Sequence, residues 1–216
     1  MKYLIKGDSQ ICISHIKAFT ALIMIISISF LFAISSFAAN SNEIFFYDGT
    51  NVIQLTDNDY ADWSPQINNS GEVVWFSGEI LYYNGTTTTQ LTDNLYSGYS
   101  YDNLQISDSG NVVWHGLDLF TFDDDIFYYN GTTVTQLTNN DYDDSSPQIN
   151  DGGDVVWYGH DGYDYEIYFY DDTTVNQLTD NYYDDVSPQI NNSGEIVWHG
   201  FDGNDYMIDD LWYRVF

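Results

Sequence analysis

One short string recurs along this chain and limits what the chain can fold into. Gln-Leu-Thr occurs four times, placing leucines at Leu55, Leu91, Leu137 and Leu178. Around it lie four related copies that begin at Glu43, Glu79, Asp125 and Glu166. A unit of this length buries its apolar face against neighbouring units, so a sequence period becomes a structural one.

Each copy reads as four short strands separated by turns. We label them a (Pro-Gln-Ile-Asn and relatives), b (Val-Val-Trp), c (Ile-Phe-Phe-Tyr) and d (Thr-Val-Thr-Gln-Leu-Thr). Between c and d, Asn84-Gly85, Asn130-Gly131 and Asp48-Gly49 supply the positive φ that a tight hairpin requires. No helical periodicity follows residue 38. A β-helix would use shorter coils, and a sandwich has no need of near-identical strings at this interval. The expected fold is therefore all-β: a β-propeller of about four four-stranded blades, or an open arc of a larger propeller.

The strings Ile-Tyr-Phe-Tyr-Asp (167–171), Gln-Leu-Thr, Ser-Pro-Gln-Ile-Asn (187–191) and Val-Val-Trp followed by Asp-Gly resemble the TolB-type, WD-like β-propeller repeat family, also seen in propellers attached to prolyl-oligopeptidase-like peptidases. The resemblance spans residues 43–206. It implies blade architecture and, by analogy with TolB, an envelope setting, but it does not carry a role, because such blades are reused for unrelated functions.

Strand counting raises a question of closure. The repeat domain opens on a c strand, and Asp209 to Tyr213 aligns with Asp124 to Tyr128 as a fifth c strand within a partial repeat at 207–216. Either the first c and d strands complete the last blade and four blades close, or the arc stays open with edges available for self-association.

The segment 1–38 reads as an export signal: Lys2, Lys6 and Lys17, then the apolar run Ala21 to Phe37, then the small-residue site Ser36-Phe37-Ala38. Cleavage there leaves a repeat domain of 39–216, expected outside the cytoplasm, whether secreted, periplasmic or on the cell surface. Three of the four basic residues, the one cysteine (Cys12) and one of the 33 acids (Asp8) leave with it, so 32 acids face Arg214 alone, a formal charge of −31. Such a surface repels phosphate backbones and anionic lipid, which excludes nucleic acid and any membrane role beyond the signal. Without cysteine there is no disulfide and no thiolate metal site.

The acids cluster in two loop sets. Between d and a lie Asp57, Asp59 and Asp62; Asp141, Asp143 and Asp144; and Asp180, Asp184 and Asp185. Between b and c lie Asp161 and Asp164, and Asp202 and Asp205, each as Asp-Gly-x-Asp. Two readings stand: solvated turn residues, or ligands for Ca²⁺, which takes carboxylate oxygens at close spacing. No other cofactor is expected. Trp75, Trp114, Trp157 and Trp198 end each b strand, fitting an inter-blade core or a ring for stacking sugars. His115 and His199 recur in only two copies, which argues against zinc. Asn84, Asn130, Asn68 and Asn191 fit the glycosylation pattern but sit at turns.

Catalysis finds no support, since no Gly-x-Ser-x-Gly elbow is present and the domain has no cationic residue except Arg214 to hold an oxyanion. The expected function is a non-catalytic binding or scaffold module for protein, with a carbohydrate-binding surface protein or the detached propeller of a hydrolase as alternatives.

Overall fold

The computed structural model describes residues 41–93, 103–117 and 122–203, with the backbone of two strands, Asp205–Ile208 and Leu211–Arg214. The expected leader lies outside the described residues. Among the described residues every regular element is a strand.

A first pair, β1 (Phe45–Tyr47) and β2 (Val52–Gln54), forms a two-stranded antiparallel sheet of c and d type. Three complete blades follow, each with its strands hydrogen-bonded in the order a, b, c, d. The first is β3 (Trp63–Ile67), β4 (Val73–Phe76), β5 (Ile80–Tyr83) and β6 (Thr88–Gln90). The second is β7 (Gln105–Ile106), β8 (Val112–Leu117), β9 (Asp124–Tyr129) and β10 (Val134–Gln136). The third is β11 (Asp144–Ile149), β12 (Val155–His160), β13 (Tyr165–Tyr170) and β14 (Val175–Gln177). A two-stranded a–b sheet comes next, β15 (Asp185–Ile190) with β16 (Ile196–Gly200).

This is β-propeller architecture, and it is open. Among the described residues the final a–b pair is not hydrogen-bonded to the initial c–d pair, so the four repeats give three whole blades and two halves there. The single c strand expected at 209–213 is replaced by a hairpin of β17 (Asp205–Ile208) and β18 (Leu211–Arg214) that forms its own sheet. Ladder bonds to itself satisfy that segment's backbone, and the outer edge of β16 gains no partner in its sheet.

Three of the a strands, β3, β11 and β15, are longer than Pro-Gln-Ile-Asn, because Ser-Pro forms a bulge inside them. Register shifts fall between Trp63 and Gln66, Ser145 and Gln148, and Val186 and Gln189. The serine takes a positive φ in each, 52° at Ser64, 54° at Ser146 and 56° at Ser187. Proline cannot donate to a ladder, and a bulge is where a strand tolerates that loss.

Strand b sits in the blade interior, and its alternation assigns faces. Val73 and Trp75 pack with Ile44 of the preceding half-blade. Val112 and Trp114 pack with Val74, Ile80 and Tyr82 of the first blade. Val155 and Trp157 pack with Val113, Ile126 and Tyr128 of the second. The first valine and the tryptophan of each b strand thus face the blade before, and the second valine faces the blade after. Three of the four tryptophans are inter-blade core: Trp75, Trp114 and Trp157 are fully buried and unavailable for stacking sugars, while Trp198 is partly exposed.

Hydrogen bonds join the a–b turns from blade to blade. The Asn69 N–H and side-chain amide donate to Asp108, the Asp108 N–H donates to Asp151 Oδ1 at 2.8 Å, and the Asp151 N–H donates to Asn192 Oδ1 at 3.1 Å. One position of the repeat, recurring from unit to unit, builds this chain along a single rim.

Candidate functional site

The register places both acidic loop sets on the opposite rim. Asp144 faces Gly159 and His160 faces Tyr165, so the start of a, the end of b and the start of c share one end of the blade. Loops that lie well apart in the sequence therefore converge.

The structure sorts the predicted acids into four groups. Asp62, Asp144 and Asp185 are buried at the start of a, where they act as internal acceptors. Asp144 takes the Asn140 amide at 2.9 Å and the Trp157 indole at 3.0 Å; Asp185 takes Asn181 at 2.6 Å and Trp198 at 3.0 Å. Asp143 and Asp184 tie the d–a loop to the start of c, accepting the N–H of Asp124 and of Tyr165, each at 3.1 Å. Asp57, Asp59, Asp141 and Asp202 are exposed on the loops, and Asp205 opens β17.

The fourth group converges in the third blade. One carboxylate oxygen from each of Asp161, Glu166 and Asp180 lies within 4.8 Å of the others. Asp161 belongs to the b–c loop, where its Oδ1 accepts the Tyr163 and Asp164 N–H groups at 2.8 and 3.3 Å. Asp180 follows Gln-Leu-Thr in the d–a loop. Asp161 and Asp180 line an open cleft with Asn181 and two strongly exposed tyrosines, Tyr163 and Tyr182.

Glu166 is the member the sequence reading missed. It is the second residue of β13 and is 0% exposed. Its Oε1 accepts the Asn181 N–H at 2.7 Å, and its Oε2 has no hydrogen-bond partner. The available signal was the acid that begins every copy. Two of its counterparts are satisfied locally: Thr92 donates to Glu79, and Thr138 and Gln136 donate to Asp125 at 2.7 and 2.8 Å, whereas Glu43 Oε2 is likewise buried without a partner. In the b–c loop, Asp164 is also buried with Oδ1 unpartnered, as are both oxygens of its second-blade counterpart, Asp123.

The glycosylation-like asparagines serve turns. Asn84 Oδ1 accepts the Thr86 and Thr87 N–H groups, and Asn130 Oδ1 accepts those of Thr132 and Thr133.

No family model matches the chain, and no curated protein is similar to it in sequence. Similar solved structures include the β-propeller domain of the Trilobed protease from Pyrococcus furiosus, titled as having an open velcro topology, at 10% identity and a TM-score of 0.45, covering 71% of this chain and 55% of that one. The putative TolB from Agrobacterium tumefaciens is 14% identical with a TM-score of 0.32, covering 74% and 77%. Streptogramin B lyase is 14% identical with a TM-score of 0.41, covering 76% and 57%. The chain spans little over half the length of the first and third. At these values the propeller assignment stands on the chain's own strand pairing.

Proposed function

We propose that this chain is an exported, non-catalytic scaffold that binds protein by completing its terminal half-blades, and that the partner is a second copy of itself. One observation carries the reading: residues that are buried inside complete blades are bare at the two ends. Val197 is 64% exposed where Val156 is 0%, Trp198 40% where Trp157 is 0%, and Phe45 60% where Phe127 is 3%.

The internal blades dictate how the ends would join. In them b pairs antiparallel with c so that Trp157 meets Tyr168 and Trp114 meets Phe127, with the ring pairs stacked at 5.9 and 5.8 Å. Among the described residues, the b strand β16 pairs only with β15 and the c strand β1 only with β2, so each keeps one open edge. Carrying the register over sets Trp198 of one copy against Phe45 of the next, with Val197 opposite Phe46 and Ile196 opposite Tyr47. Two copies joined at both ends make six whole and two shared blades, eight in all and at the upper limit of common propellers. A head-to-tail interface of this kind either closes into a ring or runs on as a filament.

Export rests on the leader sequence, and the non-catalytic reading on the absence of a nucleophile motif and of any lysine or arginine in the repeat domain besides Arg214. The dense negative charge opposes association at low salt. Sedimentation of the purified chain at low and high ionic strength tests the proposal: a dimer that tightens with salt is expected, and a monomer at every salt and protein concentration overturns it.

A further inference from the structure

We propose that Asp161, Glu166 and Asp180 form a calcium site that pins the b–c loop of the third blade to its d–a loop. The spacing suits the ion. Calcium holds its oxygens at about 2.3–2.6 Å, so donors around one ion stand up to roughly 5 Å apart, and these three stand within 4.8 Å. An all-carboxylate donor set, two on loops and one at the start of β13, favours calcium over zinc, which prefers nitrogen and sulfur, and over magnesium, which demands a tighter octahedron. Backbone carbonyls and water complete such a shell.

The second observation is Glu166 itself. A carboxylate with no exposed surface and one unpaired oxygen carries a desolvation penalty that only a proton, a donor or a cation can offset. Among the described side chains none is an ammonium or guanidinium, because the segment 41–203 contains neither lysine nor arginine. His160, near the same loop, uses Nδ1 to accept the Gly162 N–H at 3.0 Å. A divalent ion answers the charge and the open valence together.

The repeat supplies internal comparisons. In the first blade the b–c connection, Ser77-Gly78, has no acid, and Glu79 is taken by Thr92. In the second, Asn139 stands where the third has Asp180, and Asp125 is taken by Thr138 and Gln136. After β16, Asp202-Gly203-Asn204-Asp205 repeats the loop, but Met207 replaces the glutamate. The three donors coincide in the third blade, which places the ion beside Tyr163 and Tyr182 on the open rim.

The site does not depend on how the terminal blades are completed. Its test is a titration of the purified chain with CaCl₂, followed by calorimetry and thermal unfolding, with Tb³⁺ as a luminescent stand-in excited through the neighbouring tyrosines. One ion per chain is expected, with a dissociation constant on the order of 10⁻⁴–10⁻³ M, and a Tm raised by roughly 3–10 °C at about 10 mM Ca²⁺. Asp180→Asn, at an exposed position, should weaken binding at least ~10-fold without disturbing the fold. Glu166→Gln should raise the Tm in chelator, by removing a buried charge, and abolish the response to calcium. The assignment is overturned if NaCl of matched ionic strength reproduces the rise, if Asp180→Asn responds as the parent does, or if Glu166→Gln lowers the Tm in chelator while retaining the calcium response.

Discussion

Asp144 Oδ1 accepts the Trp157 indole N–H at 3.0 Å, and it lies where a Cβ on Gly159 would come within 1.8 Å. The same relation holds one repeat later, with Asp185, Trp198 and Gly200. The buried carboxylate reaches the indole by crossing the backbone of strand b, which is open only where the second residue after tryptophan is glycine. The other two complete blades lack the bond. In the second, Gly116 leaves the path open but Trp114 Nε1 is buried without a partner; in the first, Ser77 occupies this position, and there Asp62 Oδ1 and Trp75 Nε1 are both buried without a partner.

Opposite substitutions at the two sites should therefore have opposite effects. Gly159→Ala drives a methyl into the Asp144 carboxylate and is expected to cost about 2–4 kcal/mol. Ser77→Gly opens the path for the Asp62–Trp75 bond and should stabilise by about 1 kcal/mol, the bond gained outweighing the added chain entropy. Denaturant midpoints at constant m-value read both changes.

Tryptophan truncation should separate core from edge. Trp157→Ala empties an inter-blade site and is expected to cost about 3–5 kcal/mol. Trp198→Ala, at a half-exposed position, should cost no more than about 1–2 kcal/mol in the isolated chain, yet abolish self-association in sedimentation. Val197→Lys should do the same with the circular dichroism spectrum unchanged, whereas Val156→Lys should unfold the chain.

The inter-blade rim can be tested at Asn150. Its side chain accepts the Gly152 and Asp154 N–H groups at 2.9 and 3.0 Å and donates to Asp154 and to the Asn191 carbonyl of the next unit at 3.2 Å. Asn150→Ala leaves buried groups unpaired and should cost about 2–3 kcal/mol by equilibrium unfolding.

Stability should peak in mild acid. Burial pushes Asp125 up to about 7 and Asp144 up to about 6, from an ordinary 3.8, with the charge of Asp123 adding to both. These folded values exceed the unfolded ones, so between about pH 4 and pH 7 the folded chain holds protons that the unfolded chain has released, and stability falls as pH rises. Hydrogen bonds from the Thr173 hydroxyl and the Thr174 N–H hold Asp171 down to about 2, and similar bonds lower Glu43 and Asp48. The stability these three contribute is present above their unfolded values and lost as pH falls through their folded ones. Melting temperature should be highest near about pH 5, and Asp125→Asn should flatten the decline toward pH 8. A Tm that rises steadily from pH 5 to pH 8 in the parent chain would contradict this.

Sequence alone determined the blade and its order of strands. Period-2 apolar runs, Asn-Gly turns and a repeat of blade length leave few other ways to bury the valines and tryptophans, and these local signals are repeated often enough to correct one another. The same reading missed the Ser-Pro bulge, because a positive φ at serine is imposed by pairing with strand b and leaves no mark in composition. It also ranked Asp144 and Asp161 as equals. Only the tertiary structure set them apart, turning one inward to an indole and bringing the other beside Glu166 and Asp180, since contacts between loops depend on strand register and not on spacing along the chain. Closure was likewise a tertiary decision: the repeat supplies both halves of a blade, but whether they meet within one chain depends on how far each blade turns from the last, a geometry set by the packing between sheets.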